Sequence, residues 1–151
     1  MASLDDRLSL LAYLETRFGL KPGLFEDYLF FRKEKSWWIF RRTPLLADAS
    51  RFKISRMGMK AFQQVGQFIK PTTRFIQMFG HYATKAKMAI EDAQLLDLME
   101  GKGLAADLEI DSGYVILALD EARVVGLGLY VNGFIRSQIS KKALKVEMIQ
   151  E

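Results

Sequence analysis

GYVILALDEARVVGLGLYVNGFIRSQISKK, residues 113–142, reads as three consecutive short strands. Tyr114–Leu119 is an apolar run that Asp120-Glu121-Ala122 breaks. Arg123–Val131 follows, with Gly126 and Gly128 bracketing Leu127. Asn132-Gly133 supplies two successive residues that tolerate positive φ, which predicts a type I′ hairpin turn. Phe134–Ile139 is the third strand and leads to Lys141 and Lys142. Glycines inside a strand mark bends or close backbone approach, and a small barrel needs such bends to close.

Working outward, residues 4–18 predict an amphipathic helix. Leu4, Leu8, Leu11, Leu14 and Phe18 recur at three- or four-residue spacing. Ser3 is its candidate N-cap, Asp5 and Asp6 suit its first turn, and Gly19 stops it. Glu26–Phe31 and Ser36–Arg42 predict a hairpin around Arg32–Lys35. Alternation puts Trp38 and Phe40 on one face and Trp37, Ile39 and Arg41 on the other, so one tryptophan faces the core. Arg51–Ser55 and Met59–Gln63 are short strand candidates, and Gly66 ends that meander. Thr72 or Thr73 caps a helix over Arg74–Phe79. Ala86–Ile90 predicts a strand and Glu91–Met99 a helix ending at Gly101. Asp107, Glu109 and Asp111 alternate with Leu108 and Ile110, the pattern of an exposed loop or strand with an acidic outer face. The fold class is α+β: an N-terminal helix plus antiparallel strands packed on a C-terminal β-barrel. The seam near residues 80–85 divides an N-terminal unit, 1–82, from a barrel unit, 83–151. No Pro/Gly/Ser-rich linker separates them, so they are expected to pack together.

The 151 residues contain no cysteine. A thiol nucleophile and a cysteine zinc site are therefore excluded. Neither a G-x-G-x-x-G nor a P-loop is present, and Gly126-Leu127-Gly128 lies between strands, the wrong context for nucleotide phosphates. His81 is the single histidine, so no histidine cluster can form. Glu91-Asp92 opens a helix, where acids are common, and lacks companion metal ligands. No converging acid–base set is legible. The reading is of a protein that is not an enzyme and needs no cofactor. The opening residues lack the basic head and apolar middle of a signal peptide. No apolar run approaches the ~18–20 residues of a membrane span. A cytoplasmic protein is expected.

Charge is segregated along the chain. The net charge is −2 over residues 1–31, +7 over 32–60, +4 over 61–90, −8 over 91–121 and +3 over 122–151. A chain of total charge +4 can thus present one strongly positive face, which attracts phosphates. Arg51, Arg56, Arg41 and Arg42 fall in the basic block. An exposed Trp37 or Trp38 beside such residues would stack on a base.

The 113–142 stretch resembles the PUA domain, an RNA-binding β-barrel. More closely it resembles the C-terminal PUA-like region of the NOL/NOP/sun family of RNA cytosine-5 methyltransferases. The likeness rests on Gly113-Tyr114-Val115-Ile116, Gly126-Leu127-Gly128, Asn132-Gly133, Arg136 and Lys141. Upstream it rests on Arg56-Met57-Gly58-Met59, Lys70-Pro71-Thr72-Thr73 and Leu98-Met99-Glu100-Gly101-Lys102. Ser137-Gln138 departs from the more basic pattern of that region. The resemblance implies the RNA-binding part without the catalytic domain. It implies structured RNA, ribosomal or transfer, as partner, with an RNA methyltransferase or ribosome-assembly factor as a further one. It assigns the contacts to Lys70, Thr72, Thr73, Arg74, Arg136, Lys141 and Lys142. The alternative is a protein-interaction subunit that offers its aromatic hairpin to a separately encoded RNA-modifying enzyme.

Overall fold

A computed structural model describes residues 4–42, 58–66, 68–120 and 123–139. The elements named below are those among the described residues. Helix α1 spans Leu4–Phe18, with Asp5 and Asp6 in its first turn. Leu10, Leu11, Leu14 and Phe18 are buried, whereas Leu4 and Leu8 stay exposed. The expected stripe is therefore right for the C-terminal half of the helix. Near its start only the neighbouring Leu10 turns inward. Gly19 ends α1 at φ +69°, and its N–H donates to the Glu15 carbonyl. The Phe18 carbonyl accepts from the backbone N–H groups of Thr84 and Lys85, so a distant segment caps the helix.

The first sheet is antiparallel, in the order β1 (Tyr28–Lys33), β2 (Ser36–Arg41), β3 (Met59–Val65) and β4 (Phe68–Pro71). The β1–β2 turn is only Glu34-Lys35, because Lys33 pairs directly with Ser36. Arg32 and Lys33 thus belong to the strand rather than to a four-residue loop. Glu34 takes φ +56°, a value seldom adopted by residues other than Gly, Asn or Asp. β4 was not expected. Its four residues follow Gly66 so closely that the pattern offers little beyond a turn. The candidate strand Arg51–Ser55 lies outside the described residues, as do Ser3 and the tail 143–151.

Helix α2 spans Thr73–Phe79 and buries Phe75, Ile76 and Phe79, the face expected of it. The second sheet has the order β5-β7-β8-β9-β6, where β5 is Lys87–Ala89, β6 Leu104–Ala105, β7 Gly113–Ala118, β8 Val124–Val131 and β9 Phe134–Ser137. It is a strongly curled half-barrel rather than a closed one. β5 runs parallel to β7, and the other pairs are antiparallel. Asn132 (φ +53°) and Gly133 (φ +80°) form the β8–β9 turn, as the primed hairpin requires. Helix α3, Asp92–Met99, opens with a capping box between Glu91 and Gln94. That box accounts for the acid pair at its start. Between Ala106 and Ser112 the backbone is irregular. Leu108 and Ile110 are half-buried while Asp107, Glu109 and Asp111 are exposed.

Two hydrophobic clusters organise the molecule. The first joins α1, α2 and the first sheet to Ile116, Ala118, Val124 and Leu127 of the second sheet. It therefore crosses residue 82, the expected seam. The second lies between α3 and the other face of the half-barrel, at Val115, Leu117, Val125 and Ile135.

Candidate nucleic-acid interface

The fold brings Lys70, Thr72, Thr73 and Arg74 to the junction of the two sheets. A β-bulge prepares this junction. Trp37 pairs with Phe62 but Trp38 pairs with Lys60, which leaves Ala61 as the extra residue. The Thr72 N–H donates to the Ala61 carbonyl (2.9 Å), and its hydroxyl donates to the Lys60 carbonyl (2.8 Å). The same hydroxyl accepts from the Phe75 N–H at 3.1 Å and so caps α2. With its one proton committed inside the fold, Thr72 has no hydroxyl donor left for a phosphate. Its role is to hold the junction.

Lys70 donates from Nζ to Gln138 Oε1 at 3.1 Å. This bond joins the end of β4 to the end of β9, 68 residues away in sequence. Burial pulls the Lys70 pKa down from the ordinary lysine value. Among the described residues no carboxylate pairs with Lys70, Arg74 or Arg136. Gly126 lies under the same junction. A Cβ there would stand 3.2 Å from Thr73 Cγ2 and 2.8 Å from Ile139 Cγ1. The start of α2 and the end of β9 thus close together over a position that has no side chain. Arg74 and Arg136 are exposed on either side.

The other expected residues separate from this group. Arg41 and Arg42 are exposed, but Arg41 pairs with Tyr28, at the far end of β2 from Ser36. Ser36 and Lys70 share a row through Gln63, so Arg41 stands roughly 17 Å further along the strands. Trp37, a candidate for base stacking, is 3% exposed and belongs to the core. The Arg32 guanidinium covers its ring at 4.9 Å, and Nε1 is buried without a hydrogen-bond partner. Alternation leaves the half-buried position to Trp38. Lys141, Lys142, Arg51 and Arg56 lie outside the described residues.

Sequence reasoning missed one part of the surface. Lys33, Ser36, Gln63 and Lys70 are successive cross-strand partners, a single row over all four strands. The row beside it on the same face holds Phe31, Trp38 and Lys60. The opposite face carries Trp37 and Phe62 into the core. Lysines thus flank the half-buried Trp38 on the sheet's outer side. Reading the hairpin turn as two residues instead of four would have placed Lys33 opposite Ser36, while Lys60 and Lys70 depend on the β2–β3 bulge and on β4.

Elsewhere the chemistry is structural. His81 is exposed on a short 3₁₀ turn and stacks on Tyr82 at 3.9 Å. Among the described residues no group of three His, Asp or Glu is placed to hold a metal ion. No helix among them is long and apolar enough to cross a membrane. The large exposed apolar side chains lie outside the β1–β2 hairpin, at positions such as Val65, Phe68, Val131 and Phe134. No family model and no curated protein matches the chain.

Proposed function

We propose that this chain is a non-catalytic, PUA-like RNA-binding protein. Its ligand is structured RNA, ribosomal or transfer, and its role lies in ribosome biogenesis or RNA modification in the cytoplasm. The observation that carries the reading is the Lys70–Gln138 hydrogen bond. It unites two basic segments that the family resemblance names separately, and both present cations without carboxylate partners among the described residues. Lys70, Arg74 and Arg136 would neutralise phosphates, with Lys33 and Lys60 extending the contact across the sheet. Trp38 supplies an aromatic edge among these cations, suited to an unpaired base.

The test is binding to rRNA and tRNA fragments across a salt series, with duplex DNA as competitor. Replacing Lys70, Arg74 and Arg136 together by alanine is expected to weaken binding at least tenfold. The dependence of log affinity on log salt should flatten by about 0.9 per lost phosphate contact on duplex regions. Equal affinity and an equal slope in the triple variant would sink the proposal. Equal competition by DNA would reduce the surface to general electrostatic attraction.

A further inference from the structure

One face of the half-barrel changes character along its strands. Where Ile116 pairs with Leu127, helix α2 and the first core cover it, and both side chains are buried. Two residues on, the row Tyr114–Leu129–Arg136 is only half-covered. At the next pair Val131 is 42% and Phe134 54% exposed. The β3–β4 hairpin stands opposite this bare end, with Val65 46% and Phe68 71% exposed. Between the two lies a cleft of about 700 Å³, walled by Val65, Phe68 and Ile69 on one side and by Tyr114, Leu129 and Val131 on the other. Leu129 and Val131 also line an adjoining cavity of about 930 Å³ that Arg136 and Gln138 border. The two hollows form one apolar trough.

Among the described residues, the charged side chains that line this trough are cations. Arg17 lines the cleft, fixed by the carbonyls of Tyr114 and Asp111 at 2.9 Å each, while its Nη2 is buried without a hydrogen-bond partner. Arg136 borders the other end. Lys70 meets the trough through Gln138. Among the described residues no carboxylate lines either hollow and none pairs with these three cations.

We propose that the trough docks an apolar, acidic peptide segment of a protein partner, with a Leu- or Phe-type side chain in the cleft and flanking Asp or Glu residues toward Arg17 and Arg136. Charge complementarity selects this occupant. The aliphatic walls at Val65, Ile69, Leu129 and Val131 suit a hydrophobic side chain better than the polar edges of a base. A second copy of the chain, docking through the same patch, would set these cations against their own kind. The trough shares Arg136 and Lys70 with the proposed RNA surface, and what sets the inference apart is the apolar cleft at Val65, Phe68 and Val131, which RNA binding does not use.

The probe is a phage-displayed library of random peptides panned against the full chain. The expected consensus combines Leu or Phe with Asp or Glu. A synthetic consensus peptide should bind at least tenfold more weakly to the Phe68→Ser and Val131→Ser variants, both changed at exposed positions. Exchanging its acids for lysine should abolish binding, while RNA affinity of the two variants stays as in the parent. The proposal is overturned by the absence of a consensus, by a consensus without acids, or by peptide binding that both variants leave unchanged. Loss of RNA binding in Phe68→Ser would overturn it in favour of RNA. Self-association of the parent that Phe68→Ser abolishes would do so in favour of a second copy.

Discussion

The two cores of this small protein are built from different side chains. The first is full of rings: Phe18, Phe25, Phe30, Trp37, Phe62, Phe75 and Phe79. Phe75 alone touches Phe25, Phe62 and Phe79 at centroid distances of 4.8–5.9 Å. The second is aliphatic apart from Tyr130, whose hydroxyl both donates to and accepts from the Leu108 backbone. Geometry explains the contrast. Two helices and two sheets meet over the first cluster and leave a wide space that rings fill. The half-barrel curls around one short helix, and Leu, Ile and Val suffice. The clusters also differ in dependence. The first borrows Ile116, Ala118, Val124 and Leu127 from the second sheet, whereas the buried members of the second all fall between Ile90 and Ile135.

That asymmetry can be broken at its strongest point. Phe75→Ala is expected to cost about 3–5 kcal/mol in urea denaturation, because three rings lose their common neighbour. Amide exchange at Val115, Leu117 and Val125 should remain slower than at Phe62 and Ile76 in this variant. Equal opening of both sets would show that the second core does not stand by itself. Leu95→Ala, in the second core, should cost about 3 kcal/mol and bring down both clusters in a single transition. Two separated transitions would reverse the proposed dependence.

Smaller changes sharpen the boundary between the units. Gly19 holds φ +69°, and a Cβ there would collide with the Thr84 side chain. Gly19→Ala should therefore cost about 2 kcal/mol by strain and by displacing the segment that caps α1, measured as a lowered thermal midpoint. An unchanged midpoint would mean that residues 84–85 do not tie the units together. Tyr13, on the cleft side of α1, has its pKa pushed up to about 12, with burial the largest cause and Arg17 opposing it. Its folded value is raised above the ordinary 10.0, so its contribution is complete below pH 10 and is lost as pH rises through 12. The loss should be on the order of 2–3 kcal/mol. Tyr13→Phe should remove that part of the pH dependence, and identical alkaline profiles for both proteins would discard it.

The strand meander, α1, α2 and the Asn132-Gly133 turn were legible because each is written locally, in periodicity, caps and turn residues. What escaped was decided by pairing between distant segments. The bulge at Ala61 depends on where β2 meets β3, and it sets Lys60 rather than Ala61 opposite Trp38. Nothing near Trp37 in the chain announces that Arg32 will cover it. Lys70 and Arg136 were legible as separate cations. Gln138 joins their two segments by accepting from Lys70, a contact that no local pattern announces. Lys33 reaches Trp38's neighbourhood through the two-residue β1–β2 turn, and Lys60 through the bulged pairing of β2 with β3.

The parallel pairing of β5 with β7 has a consequence for the order of assembly. Lys87, Met88 and Ala89 lie beside Ile116, Leu117 and Ala118, but α3, β6 and the acidic loop intervene in the chain. β7, β8 and β9 meet through short connections. Loop closure must precede any gain from the β5 contact, so β5 is expected to join after the β7–β9 meander has formed. Pulse-labelled hydrogen exchange during refolding would read this order directly: the Leu129 and Tyr130 amides should become protected before the Met88 and Ala89 amides, and simultaneous protection would contradict it.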